Sequence, residues 1–384
     1  MAIRPHGGKL VDRQLGGEAQ QEARGRAAEL PRIVVSPERA IELENIACGV
    51  FSPLEGFLGE ADLRSVLQDM RLAEGTPWTI PIVLDVGEAE AEAAEPGRQV
   101  ALGDEQGRVR AMLHVADKYC FDREEMAKCT YGSTDPSHPG VARIGQMGPW
   151  LLGGKIDLVE RAPHPFDSHR LDPRETRMLF GEKGWRTVGA FQTRNVPHAG
   201  HEYLQKVVLA ITDGLMIQPV IGRKKSGDFK DAAIIQAYEA IIAHYFARER
   251  TILNILPTEM RYAGPREAIH HAIMRKNYGC THIVIGRDHA GVGKFYHPEA
   301  AIRIFAQFPE LGIEPLTIHG DFFHCFRCGQ LASERTCPHD AQHHIAFSGT
   351  EIRRMLNEGK VPPAEIMRPE VFAVLRQFDN PFVE

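Results

Sequence analysis

Between residues 192 and 201 the chain reads Gln-Thr-Arg-Asn-Val-Pro-His-Ala-Gly-His: an arginine, an asparagine and two histidines three apart, with few apolar residues between them. A guanidinium presents a planar fork of donors that matches an oxyanion. Two imidazoles about one helical turn apart share a face and suit phosphate oxygens. The flanks say where these groups sit. Trp185 to Phe191 reads as a short buried strand, and Glu202 to Ile211 carries apolar residues at helical spacing. A donor-rich turn leading from a strand into a helix is where an α/β protein holds an anion. The amides at the helix start point outward there, and the helix dipole favours negative charge.

A second loop, Gly286-Arg-Asp-His-Ala-Gly-Val-Gly-Lys294, also follows a strand, and its glycines let backbone approach a ligand closely. It is not a phosphate-binding P-loop, because that pattern needs glycine at 288 and Ser or Thr at 295, where this chain has Asp288 and Phe295. The expected role is nucleotide contact, with Arg287 and the loop amides as donors. Gly222-Arg-Lys-Lys-Ser-Gly-Asp-Phe229 is a basic loop with two readings, a mobile cover over phosphates or a solvated turn.

Cys325-Phe-Arg-Cys328, Cys337-Pro-His339, His343 and His344 form a different constellation. A CxxC pair with a third cysteine and one imidazole makes a closed tetrahedral zinc site, whose role is structural. His339 is close to Cys337 in sequence for easy chelation, so His343 is the preferred fourth ligand, with His339 and His344 as alternatives. Ser348-Gly-Thr-Glu-Ile-Arg-Arg-Met-Leu356 reads as a capped helix start and alone carries no function.

The elements that position these groups follow from the pattern. Residues 1–30 are polar and helix-friendly after Leu15. From about Ile33 to Arg161, short apolar runs separated by Gly, Pro and acidic turns predict a β-rich domain, a compact barrel, with a helix over 60–70. Pro163-His-Pro165 marks a linker. Beyond Leu171, strands at 186–191, 214–221, 251–257, 282–286 and 315–319 alternate with helices at 201–212, 230–248, 265–277 and 298–307. That alternation predicts a parallel sheet with helices on its faces. In such folds ligands bind beyond the carboxyl ends of the strands, where loops 192–201, 222–229 and 286–294 lie.

The totals exclude several classes. A formal charge of −6 argues against a nucleic-acid binder. The N-terminus has no apolar signal-peptide core, and no run approaches the roughly 18 apolar residues of a membrane span. Seven cysteines, four of them scattered, do not make a disulfide framework. A reducing cytoplasm is expected.

Together the motifs resemble one family, the ATP sulfurylases. The matching stretches are Gln192-Thr-Arg-Asn195 with His198 and His201, Arg261-Tyr-Ala-Gly-Pro-Arg-Glu267, Gly286-Arg-Asp-His-Ala290, Ser348-Gly-Thr350 with Arg353, and Phe51-Ser-Pro-Leu-Glu-Gly-Phe57. One departure is Val196, where many members have proline; Pro197 follows at once. The cysteine cluster resembles the zinc-bearing bacterial and archaeal branch.

The resemblance implies a PUA-like β-rich barrel over 1–168, a nucleotidyltransferase-type, Rossmann-like α/β catalytic domain over 169–320, and a small zinc-bearing C-terminal region over 321–384. It implies joining of sulfate to the AMP moiety of MgATP, giving adenylyl sulfate (APS) and pyrophosphate. Gln192, Arg194 and the Ala290 amide would hold sulfate. Thr193 and Asn195 would contact phosphates, His198 and His201 would stabilise the transition state, and Gly286, Arg287, Asp288 and His289 would bind nucleotide. Mg2+ with ATP, a structural Zn2+ and a homodimer are implied too. With no room for an appended kinase domain or Walker motif, a single-function enzyme is expected. Two rival readings share some of these features: another adenylyltransferase with the His-x-Gly-His pattern, and a zinc-knuckle RNA-binding protein.

Overall fold

A computed structural model describes residues 3–317, 322–346 and 349–384. Ser348, the expected cap, lies outside the described residues, as do 318 and 319 of the last expected strand. The helix that Ser348 would open runs Gly349–Asn357.

The chain forms two compact units, each built from two stretches: residues 1–184 with 258–316, and 185–257 with 317–384. In the first unit, β1 (Arg32–Val34), β2 (Gly56–Phe57), β3 (Leu84–Val86), β4 (Gln99–Gly103), β5 (Val109–Cys120) and β6 (Trp150–Leu158) make one six-stranded sheet. Its order is β1-β4-β5-β6-β2, with β3 also on β6. Only the β1–β4 pair is parallel. The apolar run 79–86 is extended by sequence, but only its last three residues are a strand. Residues 79–84 are buried, yet Pro81 has no N–H to give a ladder.

The pattern also hides helices, above all Pro37–Ala47. This helix buries Glu42, Glu44 and Asn45 alongside Leu43 and Ile46, so it shows no apolar stripe. Its carboxylates are paired instead. Glu44 binds Arg170 at 2.6 Å, and Glu42 binds Arg39 at 2.5 Å and also Arg261. Burial would raise the pKa of Glu42, but Arg39 and Arg261 outweigh it and hold the carboxyl at about 2.

Residues 258–316 are bound into this unit by polar and aromatic contacts. Arg266 donates to the carbonyls of Val66 (2.9 Å) and Leu67 (2.8 Å). Asn277 donates to Val50 and Ser52. His270 packs 5.1 Å from Phe51 and 5.2 Å from Trp78, ring centre to ring centre.

In the second unit β7 (Val188–Thr193), β8 (Gly214–Ile221), β9 (Thr251–Leu253) and β10 (Leu256–Pro257) are all parallel, with β7, β9 and β10 each pairing with β8. Helices Ala199–Ile211 and Asp231–Tyr245 make the crossovers. Every residue of β8 is buried, the mark of a parallel strand covered on both faces. Along the chain the alternation continues, now within the first unit, through helix Pro265–Tyr278 and β11 (His282–Ile285), and then β12 (Glu314–Thr317). The helix expected over 298–307 is only Ala300–Arg303 followed by a 3-10 turn. A small antiparallel sheet of β13 (Phe322–Cys325), β14 (Gln330–Ser333) and β15 (His344–Ala346) follows.

One glycine fixes the seat of the helix that carries the histidines. A Cβ on Gly189 in β7 would lie 2.0 Å from Val208 Cγ1. Gly189→Ala is therefore expected to destabilise by about 1–3 kcal/mol through overpacking. Denaturant titration should show the loss as a lower midpoint at unchanged slope.

Candidate active site

β7 ends at Thr193, so Gln192 and Thr193 belong to the strand and the loop proper is four residues, 194–197, before His198 caps the helix. The Thr193 hydroxyl is engaged by the turn: it donates to the Asn195 carbonyl at 3.1 Å and accepts from the Asn195 N–H at 3.2 Å. The cap is an imidazole. His198 Nδ1 accepts from the N–H groups of Gly200 (3.1 Å) and His201 (3.4 Å). Occupied as an acceptor, Nδ1 carries no proton, so in the neutral ring the proton is on Nε2. The His201 ring stacks on it, 3.8 Å between centres and 23° apart in plane.

Burial keeps both rings uncharged, and His201 adds to the effect at His198. His198 is lowered well below its usual value by burial and then by His201. His201 is lowered to about 4 by burial, the Val196 carbonyl working weakly the other way. His198 thus offers a neutral N–H donor rather than a cation, while the one N–H of a neutral His201 is taken by the Val196 carbonyl. A histidine with a depressed folded-state pKa stabilises above its unfolded value and loses that stabilisation as pH falls through the folded value. Stability is therefore expected to decline between pH 6.5 and about 4. The decline should be shallower in His201→Gln, which denaturant midpoints across that range would show.

Arg194 meets a carboxylate that sequence reading passed over. Its Nη2 lies 3.3 Å from Asp228 Oδ2 and 3.5 Å from the Arg223 carbonyl. Arg353 joins the same group. It donates to Asn195 Oδ1 at 2.8 Å, approaches Asp228 Oδ1 at 3.9 Å and covers the Phe229 ring at 5.7 Å. One aspartate thus holds two arginines at the loop. The basic loop 222–229 keeps Arg223 and residues 225–227 exposed, yet it is tied down beside them. Gly227 N–H donates to Val383 at 2.9 Å, Val383 N–H to Asp228 at 2.8 Å, and the Phe229 and Phe382 rings lie 4.8 Å apart. Lys224 pairs with Asp231 at 3.0 Å. The signal for Asp228 was a lone acid in a basic loop, and its partner lies 34 residues away.

At the foot of the histidine helix, Glu202 takes two bonds from Arg368 (2.8 and 2.9 Å) and one from Lys206 (2.5 Å). Ala199 N–H donates to the Ile366 carbonyl at 2.8 Å. The C-terminal residues thus fix the angle of the helix start that presents His198 and His201.

The second loop belongs to the first unit. Asp288 and Ala290 have φ of 54° and 56°, the left-handed region that costs side-chain-bearing residues on the order of 1–3 kcal/mol. The loop is tied at both ends: Asp288 N–H donates to Pro298 at 2.9 Å, and the Ala290 carbonyl accepts from Gly264 N–H at 3.0 Å. Gly264 has φ of 51°, and a Cβ there would lie 2.7 Å from the Tyr296 ring. His289 Nε2 is 2.9 Å from His271 Nδ1. The Arg261-to-Glu267 motif is scaffolding for this loop: Glu267 accepts from the N–H groups of Arg261 and Ala263, and the Arg261 side chain is bound to Glu42. Arg287 is exposed at the loop surface.

In the cysteine cluster the structure corrects one ligand. The four donors that lie within 4.8 Å of one another are Cys325, Cys328, Cys337 and His339, not His343. His339 Nδ1 is 3.5, 3.3 and 3.7 Å from the sulfurs of Cys325, Cys328 and Cys337. Its short spacing from Cys337 succeeds because Nδ1, the ring nitrogen nearer the backbone, is the one that reaches in. His343 closes a 3-10 turn, and its carbonyl accepts from Phe326 N–H at 2.9 Å. Its ring lies beside Gln342 at 3.3 Å. His344 approaches Cys337 at 3.5 Å but stacks on Phe323, 3.6 Å between centres. The Cys328 and Cys337 sulfurs are 3.7 Å apart. Thiolates at about 2.3 Å from a tetrahedral ion would be roughly 3.8 Å apart, so the donor set fits zinc in type and in size.

Two family models match successive stretches of the chain. The family model for ATP-sulfurylase matches residues 167–378, and that for a PUA-like domain matches residues 3–161. A sulfate adenylyltransferase of Pyrococcus abyssi is 51% identical over 384 residues, covering 100% of both chains. One of Symbiobacterium thermophilum is 51% identical over 378 residues, covering 98% of this chain and 96% of its own. A solved structure described as a hexameric APS kinase from Thiobacillus denitrificans matches with a TM-score of 0.78 at 26% identity, over 99% of this chain and 69% of that one. With a PUA-like domain ahead of a nucleotide-binding parallel-sheet domain, and half its residues shared from end to end with such relatives, this chain belongs to the ATP-sulfurylase family.

Proposed function

We propose that the chain is a sulfate adenylyltransferase, an enzyme in which sulfate attacks the α-phosphorus of MgATP in line. A sulfate oxygen–phosphorus bond forms, the α–β bridging bond breaks, and pyrophosphate leaves with the electron pair, giving adenylyl sulfate. The observation that carries the reading is identity of 51% over the full chain to a relative of that name, with the donor loop Gln192 to His201 intact.

Sulfate is fully ionised near neutral pH and needs no general base. Its difficulty is that a dianion must approach a polyphosphate, so the protein must supply positive charge and alignment. Gln192 and Arg194 bind sulfate, with the Ala290 amide as a further donor. Thr193 and Asn195 stand by the phosphates. His198 and His201 stabilise the transition state and the leaving pyrophosphate, His198 by donating to phosphate oxygens, aided by the helix start. Gly286, Arg287, Asp288 and His289 hold the nucleotide. The neutral His198 supports this division of labour, since its uncharged Nε2–H donates without a counter-ion.

Mg2+ travels with the ATP phosphates, as is usual where protein carboxylates do not build a cage. Zn2+ on Cys325, Cys328, Cys337 and His339 is structural. The enzyme works as a homodimer in the cytoplasm; among the described residues no helix is long and apolar enough to cross a membrane. The same groups serve the reverse reaction, ATP formation from adenylyl sulfate, when that is the supply.

Exchange of labelled pyrophosphate into ATP tests the reading. Exchange that requires sulfate, with AMP release when molybdate replaces it, is the expected result. Exchange that ignores sulfate would keep an adenylyltransferase and discard this acceptor. Absence of exchange together with a salt-sensitive RNA shift would favour an RNA-binding protein instead. Light scattering tests the dimer.

A further inference from the structure

Helix Pro265–Tyr278 carries Glu267 and His271 one turn apart on a shared face, and both side chains are 1% exposed. His271 Nε2 lies 3.3 Å from Glu267 Oε1. On its other side His271 Nδ1 meets His289 Nε2 at 2.9 Å, the rings 5.2 Å apart and nearly perpendicular. A carboxylate and two imidazoles therefore form a line that ends in the loop 286–290. We propose that Glu267 and His271 are positioning residues that lock His289 in one tautomer, leaving its Nδ1 as a bare acceptor for a hydrogen-bond donor of the nucleotide. The assignment rests on reading residues 286–289 as the nucleotide loop.

Proton counting carries the proposal. Each nitrogen–nitrogen contact in the line needs one proton, and a neutral imidazole has one to place. With both imidazoles neutral, two settings satisfy the whole line; an imidazolium at His271 would give a third, donating to both Glu267 and His289 and leaving the proton of His289 on Nδ1. In the first, Glu267 is ionised and accepts from His271 Nε2–H. Then His271 Nδ1 is bare and accepts from His289 Nε2–H, so His289 Nδ1 is bare. In the second, a protonated Glu267 donates to His271, both rings reverse, and His289 Nδ1 carries a proton.

The surroundings of Glu267 select the first setting over the second, and the 1% exposure of His271, with the Arg275 guanidinium 3.4 Å from its carbonyl, disfavours a cation there. Its Oε1 already accepts from Arg261 N–H at 2.8 Å, and its Oε2 from Ala263 N–H at 3.0 Å. With donors on both oxygens, the carboxyl is arranged as an acceptor throughout. Burial raises the pKa of Glu267, and the two N–H groups and the Arg261 guanidinium oppose that rise. His289 stays neutral: burial lowers it to about 3, with His271 and Arg275 adding to the effect. The donor it awaits is a ribose hydroxyl or the amino group of adenine. A purine with a carbonyl in that place would set lone pair against lone pair, the costly arrangement for a buried acceptor.

Full-length protein labelled with [15N]histidine tests the lock directly. His289 is assigned by its loss in His289→Gln, and two-bond proton–nitrogen correlations then report which nitrogen is bare. The expected pattern is a protonated Nε2 and a bare Nδ1 in the wild type. In Glu267→Gln the amide donates to His271 Nε2 and reverses the line. His271→Gln, whose amide can donate to Glu267 and accept from His289, should preserve it.

In kinetics Glu267→Gln should raise KM for ATP about tenfold while leaving KM for sulfate unchanged, and His271→Gln should restore most of it. The arms with 2′-deoxy-ATP, 3′-deoxy-ATP and ITP name the donor: the analogue lacking it should no longer respond to Glu267→Gln. A wild-type His289 protonated on Nδ1 overturns the proposal, as does a Glu267→Gln protein with the wild-type pattern. Equal rises in both KM values, unrelieved in His271→Gln, would reduce the pair to scaffolding and overturn it as well. If the wild type shows no sulfate-dependent exchange, the functional reading fails, while the nitrogen spectra still decide the lock.

Discussion

Replacing Arg194 by alanine should lower the sulfate-dependent rate by on the order of 10²–10³-fold, the usual loss when one preorganised donor to a developing anion is removed. The expectation has two parts. The first is loss of the guanidinium fork that holds the incoming dianion. Arg194→Lys keeps the charge without the fork, so it should recover only part of the rate. The second is electrostatic: Asp228, only 14% exposed, faces Arg194 at 3.3 Å and would lose this neighbour. Arg353 at 3.9 Å would stay beside it. The left-over carboxylate then repels sulfate, so Arg194→Ala with Asp228→Asn should recover some of the KM for sulfate but little of kcat. Pyrophosphate exchange at varied sulfate measures both. Near-normal turnover in Arg194→Ala would remove the clamp role outright.

The second large effect is loss of metal. The module 322–346 has little core of its own: Phe323, Cys325 and Ala332 are its buried cluster, with Cys328 and Cys337 packed against them. Structural zinc in such small modules carries about 10–16 kcal/mol of apparent binding free energy, and that energy is folding energy. Purified protein should therefore hold one zinc per chain by elemental analysis. Cys328→Ser, or chelation under mildly acidic conditions, should remove it and release β13, β14 and β15 to rapid hydrogen exchange. His339→Ala should lose the ion while His343→Ala keeps it. The opposite outcome would return the fourth position to His343.

Much of the site was readable because its chemistry is local. Gln192 to His201 is contiguous, so the strand, the turn and the imidazole-bearing helix start could be read from one window. The cysteines announced themselves by spacing, and only the histidine was misjudged, since short spacing looks unfavourable until Nδ1 is seen to reach inward. What escaped was paired across distance. Asp228 looked like an ordinary loop acid until Arg194 and Arg353 were found on it. Glu267 and His271 sit in a helix whose every face is partly buried, so no pattern marked them as a line leading to His289. The helix Pro37–Ala47 escaped for a related reason: Glu42 and Glu44 are buried by arginines far along the chain, and helical periodicity presumes that acids face water.

The two-stretch construction of the first unit has a consequence for synthesis. When residue 184 has emerged from the ribosome, the segment that supplies Arg266, His270 and Asn277 has not been made. At roughly 5–20 residues per second, the nascent chain waits on the order of ten seconds for residues 258–316. During that interval Phe51 and Trp78, both fully enclosed in the finished protein, lack the ring of His270 against them. The apolar surface around them is then open to other chains. Overproduction should accordingly yield soluble protein in proportion to how well chaperones shield that interval, and fragments ending near residue 168 should aggregate even though the six strands of their sheet are all present.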